Sequence, residues 1–321
     1  MPLLLSEAEV DGLISMPDVL MLVEEVFAYT GSDRPSNQPR RRVGSGRGTL
    51  NVMFSALPGR EVMGLKAYPT SPGGVNFTVL LYSSATSELL GIIEAGRLGQ
   101  LRTGAATGVA TKYLAREEAR TLGVFGAGTQ AETQIEAVAG VRDLERVQVY
   151  ARRAESARSF CSRMTLRTGL VVEPVESPRA ILENEIVITA TSATKPVFDG
   201  QDVRPGSHIN AIGSNFASKA EVDVEVVRCA SLVVVDALES ARIEGGDLLP
   251  AIDRGVLAWE RVEELGDIVS GRAEGRRTSE DITLFKSHGI ASEDIVLAHE
   301  LYLRAQQQGL GRQVAMFGQG R

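Results

Sequence analysis

The rhythm of apolar positions changes once along this chain, near Ala119. Ser6 through Ala28 reads as helical: Ser6 can cap the first turn with Glu9 as its capping-box partner, and Leu20, Val23 and Phe27 recur at helical spacing. Gly31–Pro39, rich in Gly, Ser, Asp, Asn and Pro, reads as a polar loop. Thr49–Leu57, Val62–Tyr68, Asn76–Ser83 and Leu89–Glu94 have strand character and are separated by Pro-Gly, Ser-Pro-Gly-Gly and Ser-rich turns. Strands joined by such short turns pair antiparallel. Ala95–Ala115 then reads as one helix, with a Gly/Ala/Thr-rich core that lets a neighbouring backbone approach closely.

Beyond Ala119, short apolar strands alternate with amphipathic helices. The strands are Thr121–Phe125, Arg146–Tyr150, Glu185–Thr191, His208–Ile212 and Leu232–Asp236. Alternation of this kind predicts a parallel sheet covered by helices on both faces. Ser292–Gln308 is again helical and is expected to return to the first domain. The fold class is therefore α/β, a Rossmann-type doubly wound parallel sheet plus an α+β domain with a mainly antiparallel sheet. The expected domains are 1–115 with 299–321, and 116–298.

Composition narrows the function classes. The chain has 321 residues, enough for two cores, with 43% apolar and 23% charged residues and a net charge of −7. An acidic chain argues against nucleic acid as partner, and the basic cluster Arg40–Arg42 is too short to outweigh this. The two cysteines, Cys161 and Cys229, form neither a zinc-spaced pair nor a disulfide framework and read as buried reduced thiols. With three histidines, a His- or Cys-rich metal site is not expected. The opening MPLLLSEAEV lacks the pattern of a secretory signal, and no apolar run is long enough to span a bilayer. A cytoplasmic protein without a membrane partner is expected.

The most informative motif is Gly126-Ala-Gly128-Thr129-Gln130-Ala131, a G-x-G-x-x-A that follows the strand Thr121–Phe125 and opens a helix over Gln130–Val138. Gly126 permits the tight turn, Gly128 lets a pyrophosphate approach the backbone, and Ala131 allows close helix–strand packing. The helix N-terminus adds N–H groups and positive dipole potential. The second strand ends Val-Tyr-Ala-Arg152-Arg153, with no acid to bind a ribose 2′-OH. Two arginines there suit a 2′-phosphate, although solvated surface arginines would read the same way. NADP(H) is favoured and NAD(H) stays possible.

Taken in order, Gly64-Leu-Lys66, Leu101-Arg-Thr-Gly-Ala-Ala106, the Gly126–Ala131 run, His208-Ile-Asn-Ala-Ile-Gly213 and Thr283-Leu-Phe-Lys-Ser287 resemble the ornithine cyclodeaminase/μ-crystallin family, which includes archaeal-type alanine dehydrogenases and ketimine reductases. The resemblance runs nearly end to end. It implies a homodimer whose first domains, for substrate binding and dimerisation, pair to build a shared barrel-like sheet, with the substrate between that sheet and the Rossmann domain. By resemblance, Lys66 contacts the substrate carboxylate near the reacting carbon, and Arg102 lies at the site. An arginine on the first strand also meets the carboxylate: Arg41 fits, while Arg42 would face the opposite way. Thr78, Thr129, Gln130, Thr191, Lys219 and Ser287 match cofactor-lining positions, and Gly213 and Arg102 join Gly126, Gly128 and Arg152 in that set.

The residues themselves are consistent with these roles. A lysine mid-strand among apolar neighbours either lies on a solvated face or has a site function, and burial would lower its pKa for acid–base work. Arg102 could equally make a helix-surface ion pair. Two departures from the cyclodeaminase pattern matter: Asn215 stands where an acidic residue follows the Asn-Ala-x-Gly strand, and Asn51 stands for a glutamate on the first sheet. An amide cannot take a proton at neutral pH, which favours hydride transfer over deaminating cyclisation. His208, His288 and His299 read as structural.

The expected function is an NAD(P)-dependent oxidoreductase reducing a small α-imino acid, such as the cyclic ketimine pyrroline-2-carboxylate, with Lys66 and Asn215 as catalytic candidates. Ornithine cyclodeaminase, an alanine dehydrogenase-like enzyme and a non-catalytic NADP(H)-binding protein are the alternatives.

Overall fold

The computed structural model describes residues 1–29 and 31–316, which fold as two units: Met1–Arg102 with the segment from Ile290 onward, and Thr103–Gly289. The sequence put the domain boundaries after Ala115 and Ala298. The units instead divide within the helix Gly96–Leu114 and again after Gly289. Residues 317–321 of the expected first domain lie outside the described residues.

In the first unit, the single N-terminal helix expected over Ser6–Ala28 is two helices, Glu7–Leu13 and Met16–Ala28. Each has its own capping box, with the Ser6 N–H donating to Glu9 at 2.8 Å and the Ser15 N–H donating to Asp18 at 3.0 Å. Pro17 in the first turn of the second helix completes the break. The sheet runs, in spatial order, Arg312–Gln313, Leu3–Leu5, Leu89–Glu94, Thr78–Ser83, Val62–Ser71, Gly48–Leu57 and Ser36–Ser45, with Gly74–Val75 paired to Val62–Ser71. All these pairings are antiparallel except Leu3–Leu5 with Leu89–Glu94. The helix Ala291–Gln308 packs on this sheet and has Ile295, Ala298 and Leu301 among its buried residues. A side chain at Gly64 would run into Leu80 O and lie 2.7 Å from Ile295 Cδ1, so the motif's glycine is what lets this helix sit close.

The segment read as a polar loop over Gly31–Pro39 is a 3-10 turn, Gly31–Asp33, followed by the edge strand Ser36–Ser45. Proline is tolerated on an edge strand at a bulge, and the register slips between Gln38 and Arg41, around Pro39. Turn-forming composition hid this strand from the sequence reading.

In the second unit, eight described strands are all parallel, in the order Val172–Pro174, Arg146–Tyr150, Thr121–Phe125, Ile186–Thr189, His208–Ala211, Thr283–Lys286, Leu232–Val235 and Val262–Glu264. Both sheet faces are buried. Leu122, Val124, Ile135, Val149 and Ile188 form one core, and Phe125, Val187, Ile209, Val233 and Leu284 form the other. Each such side chain contributes roughly 1.5–3 kcal/mol by leaving water. The chain reverses direction across the sheet between Thr121–Phe125 and Ile186–Thr189, which is the switch point where a doubly wound sheet opens a crevice. The small-residue helix has its reason here: a side chain at Gly104 would collide with the Thr133 backbone. The fold is the expected combination of a Rossmann-type parallel sheet and a mainly antiparallel one.

Candidate active site

The turn leaving Thr121–Phe125 is shaped by Gly126, whose φ of 115° belongs to the region that favours glycine. A Cβ there would also run into Ala190 O from the strand across the switch point. Gly128 is different. A Cβ on it meets no protein atom within 4 Å, so its smallness serves nothing inside the protein. The helix Thr129–Ala139 starts directly after it with no side-chain cap, leaving first-turn N–H groups for an anion. Ala131 is buried. An uncapped helix end and an uncrowded glycine are what a dinucleotide pyrophosphate requires, so these residues fit that group.

Gly126, Gly128, Thr129, Gln130, Arg152, Thr191, Gly213, Asn215, Lys219 and Ser287 all follow the C-terminal ends of these parallel strands. They therefore gather along one edge of the sheet. Arg152 and Arg153 are exposed beyond Tyr150. Lys219 lies with its Nζ 4.9 Å from the Phe216 ring centroid, and Asn215 is half-buried between them and Gly213 in the chain. Thr191 and Ser287 are committed within the protein: the Thr191 hydroxyl donates to Glu221 at 2.6 Å and the Ser287 hydroxyl to Asp236 at 3.1 Å.

Three buried acids that the sequence reading missed hold these loops. Glu221 accepts from the Thr191 N–H at 2.7 Å, the Gly213 N–H at 2.5 Å and the Thr189 hydroxyl at 2.9 Å. Asp247 accepts from the Glu221 and Val222 N–H groups at 2.6 and 3.0 Å and pairs with Lys286 at 2.9 Å. Lys286 also donates to Ser214 O at 2.6 Å. Asp236 accepts from the His288 and Gly289 N–H groups, each at 2.6 Å. Burial opposes the charge of Asp236, but these donors and the His288 ring hold its pKa below the usual carboxylate value. Two of the three histidines read as structural are bonded within the protein: His208 bonds Thr283 at 2.9 Å and Asn210 at 3.2 Å, and His288 bonds Asp236 at 3.3 Å.

The cationic candidates lie in the first unit. Lys66 is mid-strand in Val62–Ser71 with only 2% of it exposed, so it faces the interior rather than solvent. Its Nζ lies 2.9 Å from Asp294 Oδ1 and 5.1 Å from the Phe77 ring centroid. Gly99 makes room for it: a Cβ there would be 2.9 Å from Nζ. Arg102 is buried as well, donating through Nε to Asp294 at 3.1 Å and through Nη1 to Glu293 at 2.8 Å. It is an interior ion pair rather than the surface pair the sequence left open. Desolvation, together with the charges of Arg102 and Arg40, lowers the Lys66 pKa to about 8 even though Asp294 acts to raise it. Desolvation acts to lower the Arg102 pKa too, but Asp294 and Glu293 outweigh it and raise the value.

Arg41 does not join this group. The bulge at Pro39 buries both Pro39 and Arg40 and turns Arg41 outward, so Arg40, 5% exposed, is the arginine of this strand whose charge reaches Lys66. Arg42 is half-buried and donates to Asn51 Oδ1 at 3.1 Å. Asn51 is buried and donates to Tyr68 O at 3.1 Å, so its amide is held in the strand pairing. Thr78 opens its strand opposite Ala67 and is half-buried. The acids Glu293 and Asp294 went unnoticed in the sequence because they sit in the first turn of a helix, where acids are expected for the dipole alone. Of the two cysteines read as buried thiols, Cys161 is buried and Cys229 is exposed. Among the described residues, no group of three or more His, Cys, Asp or Glu could hold a metal ion, and no helix is long and apolar enough to cross a membrane.

A parallel sheet with a glycine turn and uncapped helix at its switch point defines a protein of the Rossmann class, here joined to a unit with a buried lysine–arginine cluster. The chain belongs to the ornithine cyclodeaminase/mu-crystallin family, whose sequence profile matches residues 1–309. It is 35% identical to a Delta(1)-pyrroline-2-carboxylate reductase of Bacillus cereus, over 97% of this chain and 99% of that one. A solved structure of the Thermococcus litoralis Delta(1)-pyrroline-2-carboxylate reductase in complex with NADH and L-proline is 36% identical, with a TM-score of 0.93 over 97% of this chain and 100% of the other. An archaeal alanine dehydrogenase dimer with bound NAD is 33% identical, with a TM-score of 0.92 over 98% of this chain and 99% of the other.

Proposed function

We propose that this chain is a nicotinamide-dependent oxidoreductase that reduces a small α-imino acid, with a cyclic ketimine such as pyrroline-2-carboxylate as the leading substrate. The observation that carries the reading is the buried Lys66–Arg102 cluster in a chain so similar to two pyrroline-2-carboxylate reductases. When bound, the dinucleotide supplies the hydride. The chain's own residues do the rest. Gly126, Gly128 and the first N–H groups of Thr129–Ala139 receive the pyrophosphate. Gln130, Thr191, Gly213, Lys219 and Ser287, which follow the strand ends of the same sheet, would line the cofactor. Arg102 and Arg40 bind the substrate carboxylate, because a guanidinium pairs with it in fork geometry. Lys66, with a pKa of about 8, carries a proton at neutral pH and would supply it to the imine nitrogen.

Exposed Arg152 and Arg153, with no acid at the end of that strand, favour NADP(H), although the two solved relatives hold NADH and NAD. Asn215 and the hydrogen-bonded Asn51 disfavour the cyclodeaminase reaction, since neither amide can serve as a base. Asn215 remains a candidate for binding the substrate or nicotinamide amide. A homodimer is part of the reading: Val43, Leu50, Phe54 and Met63 form an exposed apolar face on the sheet that a second copy would cover, and the alanine dehydrogenase relative is a dimer. Free Cys161 and Cys229 fit a cytoplasmic setting.

The test is spectrophotometric oxidation of NADPH and NADH with cyclic ketimines and with keto acids plus ammonia. Turnover of a ketimine without ammonia supports the reading, and strictly ammonia-dependent turnover of pyruvate replaces it with the amino-acid dehydrogenase reading that the similarity to alanine dehydrogenase keeps open.

A further inference from the structure

We infer that Asp294 is a positioning residue that keeps the Lys66 amine protonated and aimed. The inference rests on the functional reading above, in which Lys66 delivers a proton.

Asp294 lies in the first turn of Ala291–Gln308, is fully buried, and takes both cations on one oxygen, Lys66 Nζ at 2.9 Å and Arg102 Nε at 3.1 Å. The helix start that carries it is itself fixed. Asn37 accepts from the Ser292 N–H at 2.8 Å and donates to the Ser292 hydroxyl at 3.0 Å. Burying ions costs several kcal/mol each, and apolar residues of similar size are often no less stable, so stability alone gives little reason for such a cluster. The charged groups that act on Lys66 are Asp294, Arg102 and Arg40, and its amine also lies near the Phe77 ring and against Gly99. Without the Asp294 charge, desolvation and two guanidinium groups would all act to strip the proton. Glu293 differs, because it bonds Arg102 and not Lys66.

The test titrates Lys66 by NMR of protein labelled with 13C at lysine Cε, using Lys66→Met to assign the signal. In Asp294→Asn the Lys66 midpoint is expected to fall by about one pH unit or more, and in Asp294→Glu, which keeps the charge, to return most of the way. The alkaline limb of the reduction rate should move acid by the same amount in Asp294→Asn, while Glu293→Gln raises KM and leaves that limb in place. A folded Asp294→Asn protein, checked by its thermal melt, with an unchanged Lys66 midpoint overturns the inference. Should that variant not fold, Asp294→Ser read against Asp294→Glu makes the same comparison. The NMR midpoint needs no substrate, so wild-type protein that reduces no imino acid would sink the functional reading while leaving this coupling to stand or fall by itself.

Discussion

Lys286 and Asp247 form an ion pair at 2.9 Å with neither side chain exposed. The pair ties together three loops at the edge of the parallel sheet. Lys286 ends the strand Thr283–Lys286 and holds Ser214 O, beside Asn215. Asp247 holds the backbone of Glu221, and Glu221 holds Thr191 and Gly213. Lys286→Met should leave a buried carboxylate without its cation and cost about 3–5 kcal/mol in urea denaturation. Adding Asp247→Leu should recover most of that stability, because the uncompensated charge is gone, but not dinucleotide affinity, because the loops have lost their tie. A double variant that binds dinucleotide like wild type would show that the pair has no part in shaping the site.

Lys66→Met removes the proposed proton donor while leaving the second unit untouched. Turnover should drop by about 10²–10⁴-fold, with dinucleotide binding, read by fluorescence titration, unchanged. In the wild type the sign of the pH dependence follows from which form acts. Reduction needs the ammonium form, and its pKa is lowered from 10.5 to about 8, so the rate should hold below about pH 8 and fall above it, well before an ordinary lysine would titrate. A rate that stays level to about pH 10 would exclude Lys66 as the donor.

What the sequence disclosed depended on how local the cause was. The strands Thr121–Phe125, Arg146–Tyr150 and Leu89–Glu94 were legible because apolar rhythm and turn residues specify them within a few positions. The Gly126–Ala131 turn was legible because its steric reasons lie inside six residues. Arg40 was missed because a single-residue bulge at Pro39 reverses which side chain turns inward, and no periodicity count registers such a slip. Asp294 was missed because its partner Lys66 is 228 residues away, and only the packing of a C-terminal helix on the first unit's sheet joins them. Glu221, Asp236 and Asp247 belong to no motif that marks them in the sequence. Their function is visible only when several backbone N–H groups are seen to converge on them.

Arg152 and Arg153 are the groups proposed to select NADP(H). Changing both to Ala should weaken NADPH binding by about 10–100-fold, the value of a charge-assisted hydrogen bond to phosphate, and leave NADH binding nearly unchanged. The ratio of kcat/KM for the two cofactors measures this directly. If NADPH and NADH lose equally, the arginines contribute only general positive potential.

His208 sets a stability limit on the acid side. Its ring is fully buried between Thr283 and Asn210, and burial, with Arg276 adding to the effect, lowers its pKa from 6.5 to about 3. Above pH 6.5 the ring is neutral in both the folded and unfolded chain and adds no pH dependence. Below 6.5 the unfolded chain takes a proton that the folded chain refuses, so stability is lost as pH falls from 6.5 toward 3. Between pH 7 and about pH 4.5 this one group should cost the wild type about 2–3 kcal/mol. His208→Gln has no proton to take up. It should start less stable at pH 7, because the ring's packing and hydrogen bonds are altered, but lose about 2–3 kcal/mol less over the same interval in urea denaturation. Parallel losses in the two proteins would mean that His208 is protonated in the fold or that its ring is not held between these partners.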